Sequence, residues 1–338
     1  MPHLPAPRGP ITERLLTCLE GAVRPLPAME VDPGGDPLVD EDIQLALYVC
    51  YELHYRGFAG VDEGWEWEPS LLGLRRALEQ RFEAGLEAVV GPRAPSSVAA
   101  RDMDLALREI AGAVDGADLA RHVQRSAPAE QVLEFVIHRS AYQLKEADPH
   151  SWAIPRLSGE PKAALVEIQA DEYGGGRAER AHAHLYAEAM EELGLDPTYG
   201  AYLDRIPGST LVTVNLISTL GLHRRLRGAL VGHLALFEMT SSGPNRRYAE
   251  GLRRLGFGPR ATAFFDEHVV ADAVHENIAA VSLAGGLARQ DPRLTGDILW
   301  GARAMMEIEG RWAAGLLEAW TGERSSLLAT RHVLAGPT

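Results

Sequence analysis

One window concentrates side chains that bind metals: Phe264-Phe265-Asp266-Glu267-His268-Val269-Val270-Ala271-Asp272-Ala273-Val274-His275-Glu276. On a helix of about 3.6 residues per turn, His268, Asp272 and His275 stand at i, i+4 and i+7 and share one face. Phe264, Ala271 and Ala279 make the flanks of that face apolar. Two imidazoles and a carboxylate turned into an apolar interior are unfavourable unless they are paired or hold a metal. Histidine with carboxylate suits iron, manganese or zinc. The alternative is a solvated helix face with two ordinary histidines.

Three further windows supply partners. In Ala181-His182-Ala183-His184-Leu185-Tyr186, either histidine can point inward. Both cannot, because two helical positions differ by roughly 200° at about 100° per residue. Glu172 lies just before Gly174-Gly175-Gly176, which reads as a helix end or a helix irregularity holding a carboxylate. Glu238 ends an apolar run beginning at Gly228; facing inward it would need a cation, and at a helix end it would face water. Glu146 is an extra carboxylate that could instead pair with Lys145 or cap the next segment. Carboxylates and histidines from facing helices are how a four-helix bundle holds a di-iron centre. The candidate set is Glu146, Glu172, His182, Glu238, His268, Asp272 and His275.

Helical periodicity dominates the elements that must position these groups. The pattern predicts helices over 11–24, 40–56, 69–91 and 101–125, then 128–147, 159–173, 177–193, 209–224, 226–240, 245–255, 260–283 and 292–321. Residues 31–37 and 91–97 are Pro/Gly loops, and Asp40 and Ser70 are expected N-caps. The strand-like stretch 211–217 sits inside a helical pattern. The expectation is an all-α chain with a helical N-terminal region, 1–125, and a larger bundle, 126–338.

The spacing of these residues resembles the heme-oxygenase-like diiron oxidases and oxygenases, a family of iron-containing redox enzymes. Glu172 precedes His182, Glu238 follows 56 positions later, and His268-x-x-x-Asp272-x-x-His275 completes the pattern. The resemblance covers about 128–285 and does not reach 1–125. It implies a heme-oxygenase-like helical bundle without haem ligation. It favours His182 over His184, and Glu146 matches the additional ligand of nitrogen-oxygenating members. It further implies two iron ions cycling between Fe(II) and Fe(III), O₂ as co-substrate, an external electron donor and a reductase partner. The activity implied is N-oxygenation of a small amine, amino acid or guanidine in specialised metabolism. A rival within the class is desaturation or oxidative C–C cleavage of an amino acid or fatty acid. A rival outside it is a metal-free helical protein that binds a small ligand.

The 338 residues carry 33 Lys+Arg against 47 Asp+Glu, a formal charge of −14, which argues against nucleic-acid or anionic-membrane binding. Two cysteines, Cys18 and Cys50, exclude a disulfide framework. No apolar run reaches the roughly 18 residues of a membrane span, so the expected setting is the cytoplasm. A homodimer is expected on base rate. Arginine clusters at 224, 225 and 227 and at 246, 247, 253 and 254 are either substrate-carboxylate forks or solvated pairs. Thr213 and Asn215 either line a pocket or are satisfied core groups; Tyr142, Trp152 and Tyr173 lie close to the candidate ligands in sequence; His54 reads as a helix surface residue.

Overall fold

A computed structural model describes residues 1–31, 34–113 and 118–329. Its helices are α1 (Pro10–Leu19), α2 (Glu41–Glu52), α3 (Pro69–Val90), α4 (Met103–Gly112), α5 (Leu119–Arg125), α6 (Ala129–Gln143), the short α7 (Asp148–Ser151) and α8 (Gly159–Glu172). After them come α9 (His182–Glu192), α10 (Gly208–Leu222), α11 (Arg227–Arg254), α12 (Pro259–Asn277), α13 (Gly286–Gln290) and α14 (Thr295–Thr321). Among the described residues there is no strand, and the fold is all-α, as expected. None of its helices is long and apolar enough to cross a membrane.

Local chemistry explains most boundaries. The Asp40 side chain accepts the Asp42 and Ile43 amides and opens α2. At α3 the cap is Glu68, two residues earlier than expected, because Pro69 supplies the first helical position. Ser70 instead accepts the Leu26 amide at 2.7 Å and ties down the preceding loop. The stretch 211–217 is helical and buried on all sides in α10, which is why no polar face marks it.

Several boundaries differ from the sequence expectation: the helix expected over 11–24 ends at Leu19, two helices, α4 and α5, cover 101–125, that over 128–147 ends at Gln143, that over 177–193 begins at His182, and two further differences shape the bundle. Helix α11 runs without a break through Pro244, where two helices were expected. Proline there has no amide for the carbonyl one turn back, but packing against α5, α12 and α14 holds both halves in line. Helix α12 stops at Asn277 and continues as a π-helical segment, Ile278–Gly285, before α13. Helices α11 and α14 approach until backbones touch. A Cβ on Gly232 would stand 1.8 Å from the Ile298 carbonyl oxygen, and one on Gly301 would stand 2.0 Å from that of Ala229.

One apolar core joins Leu15, Leu47, Val49 and Phe82 to Leu216, Leu230, Ala284 and Ile298, so the N-terminal helices and the bundle bury a common interior. A second core gathers Phe135, Tyr186, Met190, Leu252, Phe264 and Trp312. The acidic and imidazole residues lie at the seam, touching Leu234 of the first core and Phe264 of the second.

Candidate metal centre

Glu172 is the last residue of α8, and three left-handed glycines turn the chain sharply after it. At Gly174, with φ of 67°, a Cβ would meet the Ala181 amide at 2.5 Å, so only glycine lets the chain fold back this closely. The return places His182 at the start of α9, its Nδ1 2.7 Å from Glu172 Oε2. His182 is buried and His184 faces solvent. Helix α11 brings Glu238 in from mid-helix, buried because the helix continues past it. Helix α12 supplies His268, Asp272 and His275, all buried on one face. Glu146 comes from the turn after α6; Lys145 does not pair with it, but turns the other way to Glu52 at 3.1 Å.

All seven candidate residues thus lie together. Donor atoms of Glu146, Glu172, His182 and His268 fall within 4.8 Å of one another, and so do those of Glu172, Glu238 and His275. Glu172 belongs to both sets. Asp272 lies 4.0 Å from His275 Nδ1, and the Ser241 hydroxyl donates to its other oxygen at 2.5 Å. His268 Nε2 is 3.5 Å from Glu146.

Hydrogen bonds on the far side of two rings fix which nitrogen faces inward. His268 Nδ1–H donates to the Phe264 carbonyl at 2.8 Å, leaving Nε2 for the centre. His275 Nε2–H donates to Asp171 at 3.0 Å, leaving Nδ1 facing Glu238 at 3.3 Å, Glu172 at 3.9 Å and Asp272. His182 Nδ1, His275 Nδ1 and Glu146 Oε2 are buried and have no aligned hydrogen-bond partner. A lone pair facing several carboxylate oxygens is repulsive unless a cation lies between them. These orphaned atoms therefore fit a bound metal, and the nitrogen and oxygen donors fit iron.

Without a metal, protons must do that balancing. Burial raises Glu172 and Asp272 to about 7, and raises Glu238. Burial lowers His182 to about 4. For His268 burial opposes the charge, but the Glu146 carboxylate outweighs it and the pKa rises well above the ordinary value. For His275 burial is likewise outweighed, here by Glu238 and Asp171, and its pKa rises to about 9.

Several other sequence candidates lie elsewhere. Arg225 pairs with Glu83, Arg227 with Asp291, Arg247 with Asp118 and Arg253 with Asp266; Arg254 donates to backbone carbonyls, and Arg224 and Arg246 face solvent. The clusters are consumed by surface pairing and solvation. Asn215 donates to the Gln44 backbone and side chain, and Thr213 to the Thr210 carbonyl, as satisfied core groups. His54 is buried between Glu66 and Arg75, not on a surface. Tyr142 lines the centre, Tyr173 bonds Asp148 and Ser151, and Trp152 packs edge-on to Tyr55.

A second feature has no signature in the sequence. A cavity of about 260 Å³ adjoins Glu146 and His268. Phe135, Tyr186, Tyr248, Phe265 and Trp312 contribute to its wall. Arg139 also lines it, forked onto Glu309 at 3.1 and 2.6 Å and lying 3.8 Å above the Trp312 ring. The two partners are 170 positions apart, beyond any local pattern. A buried His150–His233 contact at 3.3 Å also flanks the centre.

Fold and centre together define an all-α protein with a buried carboxylate–histidine cluster that could hold metal. A family model described as iron-containing redox enzyme matches residues 133–310, more than half of the chain, and the protein belongs to that family. No curated protein matches the sequence.

Proposed function

We propose that the chain is a non-heme diiron oxygenase that oxidises a nitrogen of a small amine, amino acid or guanidine. The observation carrying this reading is the convergence of six buried ligand-type side chains in two sets that share Glu172, with Asp272 buried beside them. Glu146, Glu172, His182 and His268 would hold one iron; Glu172, Glu238 and His275 would hold the other, with Asp272 beside them. When bound, the irons would supply O₂ activation, drawing electrons from an external donor.

The protein's own contributions follow from its residues. Phe264 and Asp171 hold the His268 and His275 rings with the correct nitrogen inward. Ser241 holds Asp272 by its outer oxygen. Leu234 and Phe237 close the centre against water. The aromatic cavity beside Glu146 offers room for a small molecule, at the low end of the roughly 300–1,000 Å³ of ligand pockets. A forked Arg139–Glu309 pair on its wall costs desolvation that a polar ligand repays and a fatty chain does not. This favours an amine or amino acid over a fatty acid.

Anaerobic Fe(II) titration, followed by mixing with O₂, tests the reading. About two irons per chain and a transient visible absorption support it. No uptake and no reaction refute it in favour of a metal-free binding protein. Labelled O₂ then separates the two oxidative readings: label retained on a substrate nitrogen supports N-oxygenation, whereas a desaturated or cleaved product carrying no such label refutes it.

A further inference from the structure

The turn that carries Glu146 is gripped from outside the family-matched region. Residues 144–147 link α6 to α7 and hold Glu146 toward the centre, while Lys145 points the opposite way. Lys145 and Glu52 are both almost fully buried, 1% and 0% exposed, and their pair bridges the bundle to the end of α2. Tyrosines enclose it. Lys145 Nζ lies 4.4 Å from the Tyr55 ring and 5.0 Å from the Tyr48 ring, and the Tyr199 hydroxyl donates to Glu52 at 2.6 Å. Four residues after Glu52, Arg56 donates to the Leu144 carbonyl at 3.1 Å, lies 3.7 Å from Asp148 and stacks over Tyr199. On the other side, Gln169 of α8 donates to the Ala147 carbonyl at 2.9 Å. Between these grips Ala147 sits at φ 72°, a left-handed conformation that alanine adopts only when its surroundings impose it.

A buried ion pair is a weak source of net stability, because desolvation offsets its attraction. Its geometric effect is stronger: neither charge can move without leaving the other buried and alone. Here that geometry fixes a turn whose next residue faces the imidazole of His268. We propose that the Glu52–Lys145 pair, with Arg56, is a latch by which the N-terminal helices position Glu146 and so set the occupancy of the metal position formed by Glu146, Glu172, His182 and His268. The position formed by Glu172, Glu238 and His275 draws none of its three ligand-type side chains from this turn, so the latch acts on it less directly. The inference rests on the diiron reading for its metal, but not for the latch itself.

The test uses the whole chain with Glu52→Gln and Lys145→Met. In the metal-free protein, hydrogen exchange is followed at residues 144–148; anaerobic Fe(II) titration then gives both affinities. Outer partners of metal ligands typically change affinity about 10–100-fold. Glu52→Gln is expected to speed exchange at 144–148 selectively and to weaken one of the two irons by about tenfold or more, leaving the other within about twofold. A merely structural role would weaken both sites in step with loss of helical circular dichroism, or neither, and either result overturns the proposal. If Lys145→Met does not fold, the nearly isosteric Glu52→Gln decides. If the wild type takes up no Fe(II), the diiron reading fails and takes the site-selective claim with it; unchanged exchange at 144–148 overturns the latch whatever the iron does.

Discussion

Metal loading should depend steeply on pH, with a slope that the centre itself determines. Ligands must be unprotonated to bind iron. In the metal-free protein at pH 7, His268 and His275 are held protonated by their carboxylate neighbours, the latter with a pKa of about 9. Burial holds Glu172 and Asp272 near half-protonation, at about 7. His182, lowered to about 4, has no proton to lose. Filling both positions at pH 7 therefore expels about three protons, besides any that Glu238, also raised by burial, still holds, and fewer at pH 8 as the carboxylates ionise. Each displaced proton is worth tenfold per pH unit, so the overall formation constant should rise by roughly 1,000-fold per unit or more near pH 7 and less steeply near pH 8. It should level off only as His268 and His275 deprotonate. Metal-free stability runs the opposite way. A raised histidine pKa stabilises fully below its unfolded value of 6.5 and ceases to do so as pH passes about 9. The raised carboxylates of Glu172 and Asp272 lose their contribution as pH passes about 7. The metal-free melting temperature should therefore fall from pH 6 to 9 while Fe(II) affinity climbs. Chelator-competition titration and direct measurement of proton release check both slopes. An affinity flat between pH 7 and 8, or binding without proton release, would refute the electrostatic account.

Other expectations are more local. Glu172→Ala should abolish uptake of both irons, whereas Glu238→Ala should spare one, with helical circular dichroism unchanged; metal analysis of the purified variants decides. His275→Ala retaining full O₂ reactivity would remove His275 from the ligand set. Gly232→Ala drives a methyl into the Ile298 carbonyl and should destabilise by about 3 kcal/mol or more, seen as a lowered melting temperature. Arg139→Met leaves Glu309 half-buried and unpaired, and should lower stability by about 1–3 kcal/mol while weakening binding of a carboxylate-bearing ligand. A fragment beginning at residue 126 should fail to fold, because it would expose the Leu211, Leu216 and Ile298 side of the shared core; a folded, monomeric fragment would refute that.

The parts of the centre legible in the sequence were those governed by covalent geometry. His268, Asp272 and His275 share a face because the helical repeat leaves them no other arrangement. Glu172 and His182 could be named but not placed, since three left-handed glycines set their approach and no periodicity describes such a turn. Glu146 was ambiguous for a related reason. In a helix its separation from Lys145 would be a fixed rotation, but α6 ends at Gln143, and the turn sends the two side chains to different partners. The break expected between 240 and 245 is absent because packing on both sides of α11 overrides the local rule against proline in a helix, here at Pro244. Arg139 stands outside the arginine clusters and carries no local signal. Clustering turned out to mark solvated pairing, and the arginine at the cavity was a single one whose partner, Glu309, lies on α14.

Buried charge explains why the N-terminal region belongs to the account of the centre even though the family match begins at residue 133. Four carboxylates and three histidines within one seam can persist only if each donor is fixed from behind, because a mobile donor would turn toward water or toward the wrong neighbour. Asp171, Ser241 and the Phe264 carbonyl do this for His275, Asp272 and His268 from within the matched helices. Glu146 has no such partner there: its free oxygen is orphaned and its turn is strained at Ala147. Besides Gln169 on the Ala147 carbonyl, the contacts that fix its turn come from Glu52 on Lys145 and Arg56 on Leu144, at and just past the end of α2, a helix whose apolar face is sealed into the same core as α10. Packing of the N-terminal helices and geometry of the centre are thus one problem, solved at the Lys145–Glu146 step.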